Sequence, residues 1–193
     1  MGGALRKKLI DELQDLPELV VLAEDEAKVY LQAEAMAVWA PKGQTPQVRL
    51  DPRKDAACFY GTLDLRTGKE LLTRSEWMDS QATIVHLQAV LDAYPKQGIL
   101  LFWDRAPWHT SAAVQAFLQR AWRIEVVYFP VGAPDLNPQE HVWKLVRRLI
   151  EHNHTLDRIA DLADAFEHEL RSRRFSSSFF VKYGGRLVCP FSE

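Results

Sequence analysis

A mixed α/β sheet flanked by helices is the fold class that the 193-residue sequence predicts. Three observations predict it. Hairpin-like strand runs come first, and strand–helix–strand–helix units follow them. The apolar run Ile99-Leu100-Leu101-Phe102-Trp103 reads as a strand buried on both faces, which parallel sheets require. An antiparallel start of three strands followed by parallel strands with helical crossovers gives a mixed, five-stranded sheet.

The elements follow in chain order. Residues 4–14 place Leu5, Leu9, Ile10 and Leu13 among charges, the pattern of a short amphipathic helix ending before Pro17. Leu19 to Ala23 is a buried strand running into Glu24-Asp25-Glu26. Val29 and Leu31, with Pro41-Lys42-Gly43 beyond, predict a second strand and a turn within residues 28–43. Residues 56–65 read as a third strand, Thr67-Gly68-Lys69 as a hairpin turn, and Glu70-Leu71-Leu72 as the return. Ile84, Leu87, Val90 and Leu91 have helical spacing within residues 80–94, and Pro95-Lys96-Gln97-Gly98 ends that helix. The remaining elements are a strand over 99–103, a helix over 111–121, a strand over 124–129, and helices over 137–151 and about 156–170.

Composition narrows the class. With 47% hydrophobic residues, 26% charged residues and a net charge of −2, the chain has a real core to bury and is not disordered as a whole. No apolar run approaches the roughly 18 residues of a membrane span. The N-terminus lacks the apolar stretch of a signal peptide. The two cysteines, Cys58 and Cys189, form neither a disulfide framework nor a CxxC site, and a reducing, cytoplasmic setting is expected. Near-neutral charge means no global basic footprint. After Leu170, however, Arg171, Arg173, Arg174, Lys182 and Arg186 face only Glu193. That basic tail reads either as a solvated terminus or as a phosphate contact.

The chemistry lies in acidic residues. Asp104 closes an apolar strand, which places a carboxylate at the sheet edge. Period-two alternation points Glu24 and Glu26 to one face of the first strand and Asp25 to the other, and by itself leaves open which of them shares a site with Asp104. In Pro134-Asp135-Leu136-Asn137-Pro138-Gln139-Glu140-His141-Val142-Trp143, Asn137 suits a helix N-cap, Pro138 the first helical position and Glu140 the third. Glu140 therefore reads as half of a capping box or as a rigidly aimed, ionised ligand in a first turn, and the two readings are compatible. Three carboxylates suit hard divalent cations such as Mg²⁺. Two such ions roughly 3.5–4 Å apart clamp a phosphodiester for in-line displacement.

These residues resemble one family, the DDE transposases of bacterial insertion sequences related to the mariner elements. The resemblance is carried by Asp25-Glu26, by Trp39-Ala40-Pro41-Lys42-Gly43-Gln44-Thr45-Pro46, by Asp104 with His109, and by the segment from Pro134 to Trp143. The 35 residues between Asp104 and Glu140 match the family's spacing. It implies a ribonuclease H-like fold with Asp25, Asp104 and Glu140 as the catalytic, metal-binding triad, and so favours Asp25 over Glu24. It implies two Mg²⁺ ions, with Mn²⁺ as substitute, and cleavage and strand transfer at the ends of a mobile element, with insertion at a TA dinucleotide. The implied partners are element-end and target DNA, in a homodimer or with a separate DNA-binding module, and no membrane. Two neighbours of the site depart from the family: Arg105 stands for its usual Asn, and Val131-Gly132-Ala133 for its Tyr-Ser pair. The family's helix-turn-helix modules are not expected in the short stretch before the first strand. The expected division is a helix or linker remnant over 1–18, a catalytic domain over 19–170 and a basic tail over 171–193.

Other residues have two readings. Lys144, Arg147 and Arg148 form a basic stripe beside Glu140, either solvated or contacting phosphate. Arg105 and Trp108, in the loop after Asp104, are further candidates for DNA contact. Trp39, Trp103 and Trp143 read as core anchors, His109 as a cap or a phosphate contact, and His141 as an exposed first-turn residue. His152-Asn153-His154 reads as a helix end, without the ββα setting of a nuclease motif. Two alternatives to a transposase domain remain at this level. One is an inactive remnant that binds DNA or an intact transposase; the other is a related nuclease cutting RNA in hybrids.

Overall fold

The computed structural model describes residues 18–31, 42, 55–130, 132, 136–151 and 154–176. Five strands form one sheet: β1 (Leu19–Tyr30), β2 (Ala56–Asp64), β3 (Glu70–Ser75), β4 (Gly98–Trp103) and β5 (Ile124–Tyr128), in the order β3-β2-β1-β4-β5. The pairs β1–β2 and β2–β3 are antiparallel, while β1–β4 and β4–β5 are parallel. This is the mixed sheet that the sequence predicts. Among the described residues four helices flank it: α1 (Ser80–Ala93), α2 (Ala112–Arg120), α3 (Pro138–Ile150) and α4 (Ile159–Ser172).

Alternation along the strands divides the core in two. Val21, Ala23, Ala27 and Val29 of β1, with Leu100 and Phe102 of β4, pack under Val142, Trp143 and Val146 of α3 and Leu162 and Phe166 of α4. Leu22 of β1 and Ile99, Leu101 and Trp103 of β4 point the other way, against Leu87 and Val90 of α1 and Val114 of α2. Each central strand is thus covered on both faces, which explains its near-continuous apolar reading. Asp79 caps α1 by accepting from the Gln81 and Ala82 amides at 2.9 and 2.8 Å. Gly68, at φ +67, supplies the left-handed residue of the β2–β3 hairpin.

Three expectations change. The second strand expected within residues 28–43 is not separate where the structure describes it. β1 runs on to Tyr30 and pairs with β2 as far as Tyr30–Ala56, so Lys28 and Val29 belong to β1. The reason is that β2 is long enough to pair with β1 on both sides of the acidic run. Consequently Asp25 lies inside a strand and does not end one. Lastly, α4 continues to Ser172 and the chain beyond it packs on the hairpin: Phe175 is buried and its amide donates to the Gly68 carbonyl at 2.8 Å. Arg171 and Arg173 pair with Glu167 and Glu169 on that helix. The helix expected over 4–14, Trp39, the segment 40–46 apart from Lys42, and His152-Asn153 lie outside the described residues.

Candidate active site

Strand register puts the first two acids side by side. The parallel pairing of β1 with β4 ends at Ala23–Phe102. Two residues further along each chain stand Asp25 and Asp104, level with one another. Continued alternation sends both toward the face that α3 and α4 cover, because Ala23 and Phe102 point there. On its other side Asp25 pairs with Gly61 of β2.

Gly61 lets α3 approach closely. A Cβ at this position would collide with the ring of Trp143 and with Glu70 Oε1. Trp143 lies flat in the core, stacked on Phe166 with ring centroids 6.0 Å apart. Asn137 starts the helix: its Oδ1 accepts from the Gln139 amide at 3.1 Å, and its Nδ2 donates to the Glu24 carbonyl on β1 at 3.2 Å. Gln139, fully buried, donates from Nε2 to Glu70 Oε1 at 2.7 Å. One cap and one buried pair thus pin the first turn of α3 to β1 and β3. Glu140 follows, half-buried, and the return bond of a capping box is not formed between it and the Asn137 amide.

Asp25 carries the strongest perturbation among these acids. Burial, and then the charges of Glu140, Glu26 and Asp104, push the Asp25 carboxyl up to about 8. Burial raises Asp104 too, but hydrogen bonds from His109 and the Ala106 amide outweigh it, and its pKa falls below the ordinary value. Both bonds land on Oδ1, at 2.7 Å from His109 Nδ1 and 2.9 Å from the Ala106 nitrogen. Half of the Asp104 side chain remains exposed. Asp25 therefore lies within reach of the charges of both other acids named from the sequence, while Asp104 is balanced by His109. Such a site suits hard divalent ions bound through oxygen.

Behind Asp104 lies a second cluster. His109 is fully buried, and its Nε2 lies 2.8 Å from Glu26 Oε1, which also accepts from Trp108 Nε1 at 2.6 Å. Burial lowers the His109 pKa, but bonds to Asp104 and Glu26 more than reverse this and the net shift is upward. Glu24 is buried beside it. Burial, then Glu26 and Asp25, raise its pKa well above the usual range; the Trp103 indole lowers it in part without reaching hydrogen-bonding geometry. Among the described residues, Glu24, Glu26 and His109 each bring one ligand atom within 4.8 Å of the others. Both imidazole nitrogens already face carboxylates.

The remaining candidates spread out. Lys144 and Arg148 are exposed on α3, whereas Arg147 turns inward, donating to the Lys28 carbonyl at 3.2 Å and lying 3.6 Å from Glu151. Arg105 stacks its guanidinium over Tyr128, 4.5 Å from the ring centre. Trp108 is half-buried with its N–H directed at Glu26. Trp103 and Trp143 are core residues, as expected, and His141 is exposed. His154 accepts from the Leu156 amide at 3.2 Å, a local turn contact. Sequence reasoning missed Glu26, Glu70 and Gln139. Glu26 is 83 residues from its histidine, and only the alternation that groups it with Glu24 hinted at a second polar face.

Comparison with known proteins agrees with this fold. The model of the DDE superfamily endonuclease family matches residues 20–163. An uncharacterized 39 kDa protein of insertion element IS630 from Shigella sonnei is 26% identical over 162 residues, covering 83% of this chain and 47% of that protein. The Tc1 transposase of Caenorhabditis elegans is 30% identical over 116 residues, covering 58% and 41% respectively. The chain thus spans about half the length of the curated relatives it matches. The Mos1 mariner paired-end complex with Mn superposes at a TM-score of 0.66 and 16% identity, over 90% of this chain and 54% of that one. The Mos1 transposase catalytic domain with raltegravir and Mg gives 0.60 and 14%, over 90% and 82%. These likenesses establish a ribonuclease H-like fold, and with the family match over most of its length, the chain belongs to the DDE superfamily endonucleases.

Proposed function

We propose that this chain is the catalytic domain of a DDE transposase, a metal-dependent DNA endonuclease and strand transferase acting at the ends of an insertion sequence. The observation that supports it most is the strand register that sets Asp25 level with Asp104, with Glu140 close enough to add, after burial, the largest share of charge to the rise of the Asp25 carboxyl to about 8. On this reading the three carboxylates hold Mg²⁺, two ions in all, with Mn²⁺ as substitute; related Mos1 structures contain Mn or Mg. When bound, the ions activate the attacking oxygen and neutralise charge on the leaving oxygen. The chain's own residues fix the geometry. Asp25 is held by its pairing with Gly61 of β2, Asp104 by His109 and Ala106, and Glu140 by the pinned first turn of α3. Lys144 and Arg148 supply exposed positive charge on the same helix for the DNA backbone, and Arg105 adds a third cation beside Asp104.

Residues 19–170 would form the catalytic unit, with 1–18 as a linker and the basic 171–193 as a DNA-facing tail. End recognition then requires a second copy or a DNA-binding module outside this domain. Among the described residues no helix is long and apolar enough to cross a membrane. The test is nicking of supercoiled plasmid with Mg²⁺ or Mn²⁺. Wild type is expected to nick only with metal and Asp104→Ala to fall to background while remaining folded; undiminished nicking by the variant overturns the assignment.

A further inference from the structure

We propose that His109 is a positioning residue that sets the spacing between the Asp25 and Asp104 carboxylates, by tying Asp104 to the residue next to Asp25. The inference rests on the reading of those acids as metal ligands.

Asp104 needs such a tether. It lies beyond the end of β4, in a loop, with half its side chain exposed. Asp25, by contrast, sits within β1. A metal site needs both carboxylates at a fixed separation, and outer hydrogen bonds are the usual way to hold a ligand still. His109 Nδ1 meets Asp104 Oδ1 at 2.7 Å, and its Nε2 meets Glu26 Oε1 at 2.8 Å. Glu26 is the next residue after Asp25 on β1, pointing to the opposite face. The imidazole therefore reaches around the sheet edge and joins the loop to the strand through two short bonds.

The ring has no freedom to turn. It stacks on Trp103 with centroids 3.9 Å apart, and Trp108 meets it edge-on at 6.0 Å. Trp108 Nε1 holds Glu26 Oε1 from the other side at 2.6 Å. The His109 backbone is fixed as well: its amide donates to the Ala106 carbonyl at 3.0 Å, and its carbonyl accepts from Gln115 Nε2 at 3.2 Å. A histidine serving only to fill the core would not need both nitrogens directed at carboxylates on two different segments.

Asparagine and glutamine separate the two ends of the strut, since an Asn amide stands near the place of Nδ1 and a Gln amide near that of Nε2. Mn²⁺ binding to the full chain, followed by the electron paramagnetic resonance of free Mn²⁺, is measured for wild type, Asp104→Ala, His109→Asn and His109→Gln. Metal-free melting temperatures check each fold. His109→Gln loses the bond to Asp104 and is expected to weaken Mn²⁺ binding about 10–100-fold. His109→Asn keeps that bond but loses the one to Glu26, which cuts the strut at its other end, and is expected to weaken Mn²⁺ binding to a similar degree. A folded His109→Asn or His109→Gln that binds as wild type does overturns the inference and leaves the metal site intact. Binding indifferent to Asp104→Ala overturns the site reading, and the inference with it. A measurement on wild type needs no variant to fold: the imidazole ¹⁵N spectrum is expected to show a protonated Nδ1 on His109, and an unprotonated Nδ1 overturns the strut.

Discussion

Burial holds His86 neutral. Its Nε2 lies 2.7 Å from Thr62 Oγ1 and its Nδ1 2.8 Å from Thr73 Oγ1, joining α1 to β2 and β3, and burial lowers its pKa from 6.5 to about 3. The unfolded chain therefore takes up a proton below pH 6.5 that the folded protein refuses, and His86 favours unfolding progressively as pH falls toward 3. Its slope approaches about 1.4 kcal/mol per pH unit. Urea unfolding of wild type and His86→Gln between pH 7 and 4.5 is expected to show a difference in stability between the two that changes with about that slope. Glu70 works in the opposite direction. Burial raises its carboxyl, only partly offset by Gln139, so the folded state keeps a proton that the unfolded chain releases above pH 4.5. Its stabilising contribution is complete below that pH and is lost as pH rises. Glu70→Gln preserves the acceptor for Gln139 Nε2 and removes the charge. At pH 8 the variant is expected to exceed wild type by about 1–3 kcal/mol, a gain that disappears at pH 4; no gain at pH 8 would show Glu70 to be comfortable as an anion.

The elements bring the acids together through one close approach, α3 over Gly61. A methyl group there meets Trp143 and Glu70, and neither has room to retreat because both are buried in the core. Gly61→Ala is expected to cost about 1–3 kcal/mol by overpacking. The helix lifts off β2, and Glu140 moves away from Asp25, so nicking should fall further than the loss of folded protein explains. Melting temperature and nicking rate on the same preparation check this. Most elements were legible from periodicity and turn residues, and α3 also from its cap. The exception is instructive. Ala27 to Tyr30 alternate buried and exposed as a strand should, yet Glu24-Asp25-Glu26 reads as a strand end because acids disfavour strand interiors. Function overrode propensity there, as it does where local rules break at a site.

Across the whole molecule, the candidate triad was readable because its motifs are local: one acid per segment, with flanking residues that identify it. Its supports were not. His109 finds Glu26 from 83 residues away, and Gln139 finds Glu70 from 69, contacts that only the completed sheet creates. The strand order adds a consequence in time. β1 is made early and lies at the centre, but its neighbour β4 is synthesised after β2, β3 and α1, and α3 later still. A growing chain therefore holds Asp25 without Asp104 until β2, β3, α1 and β4 have all been made. The three acids can stand together only once α3, the last of their elements, has been made.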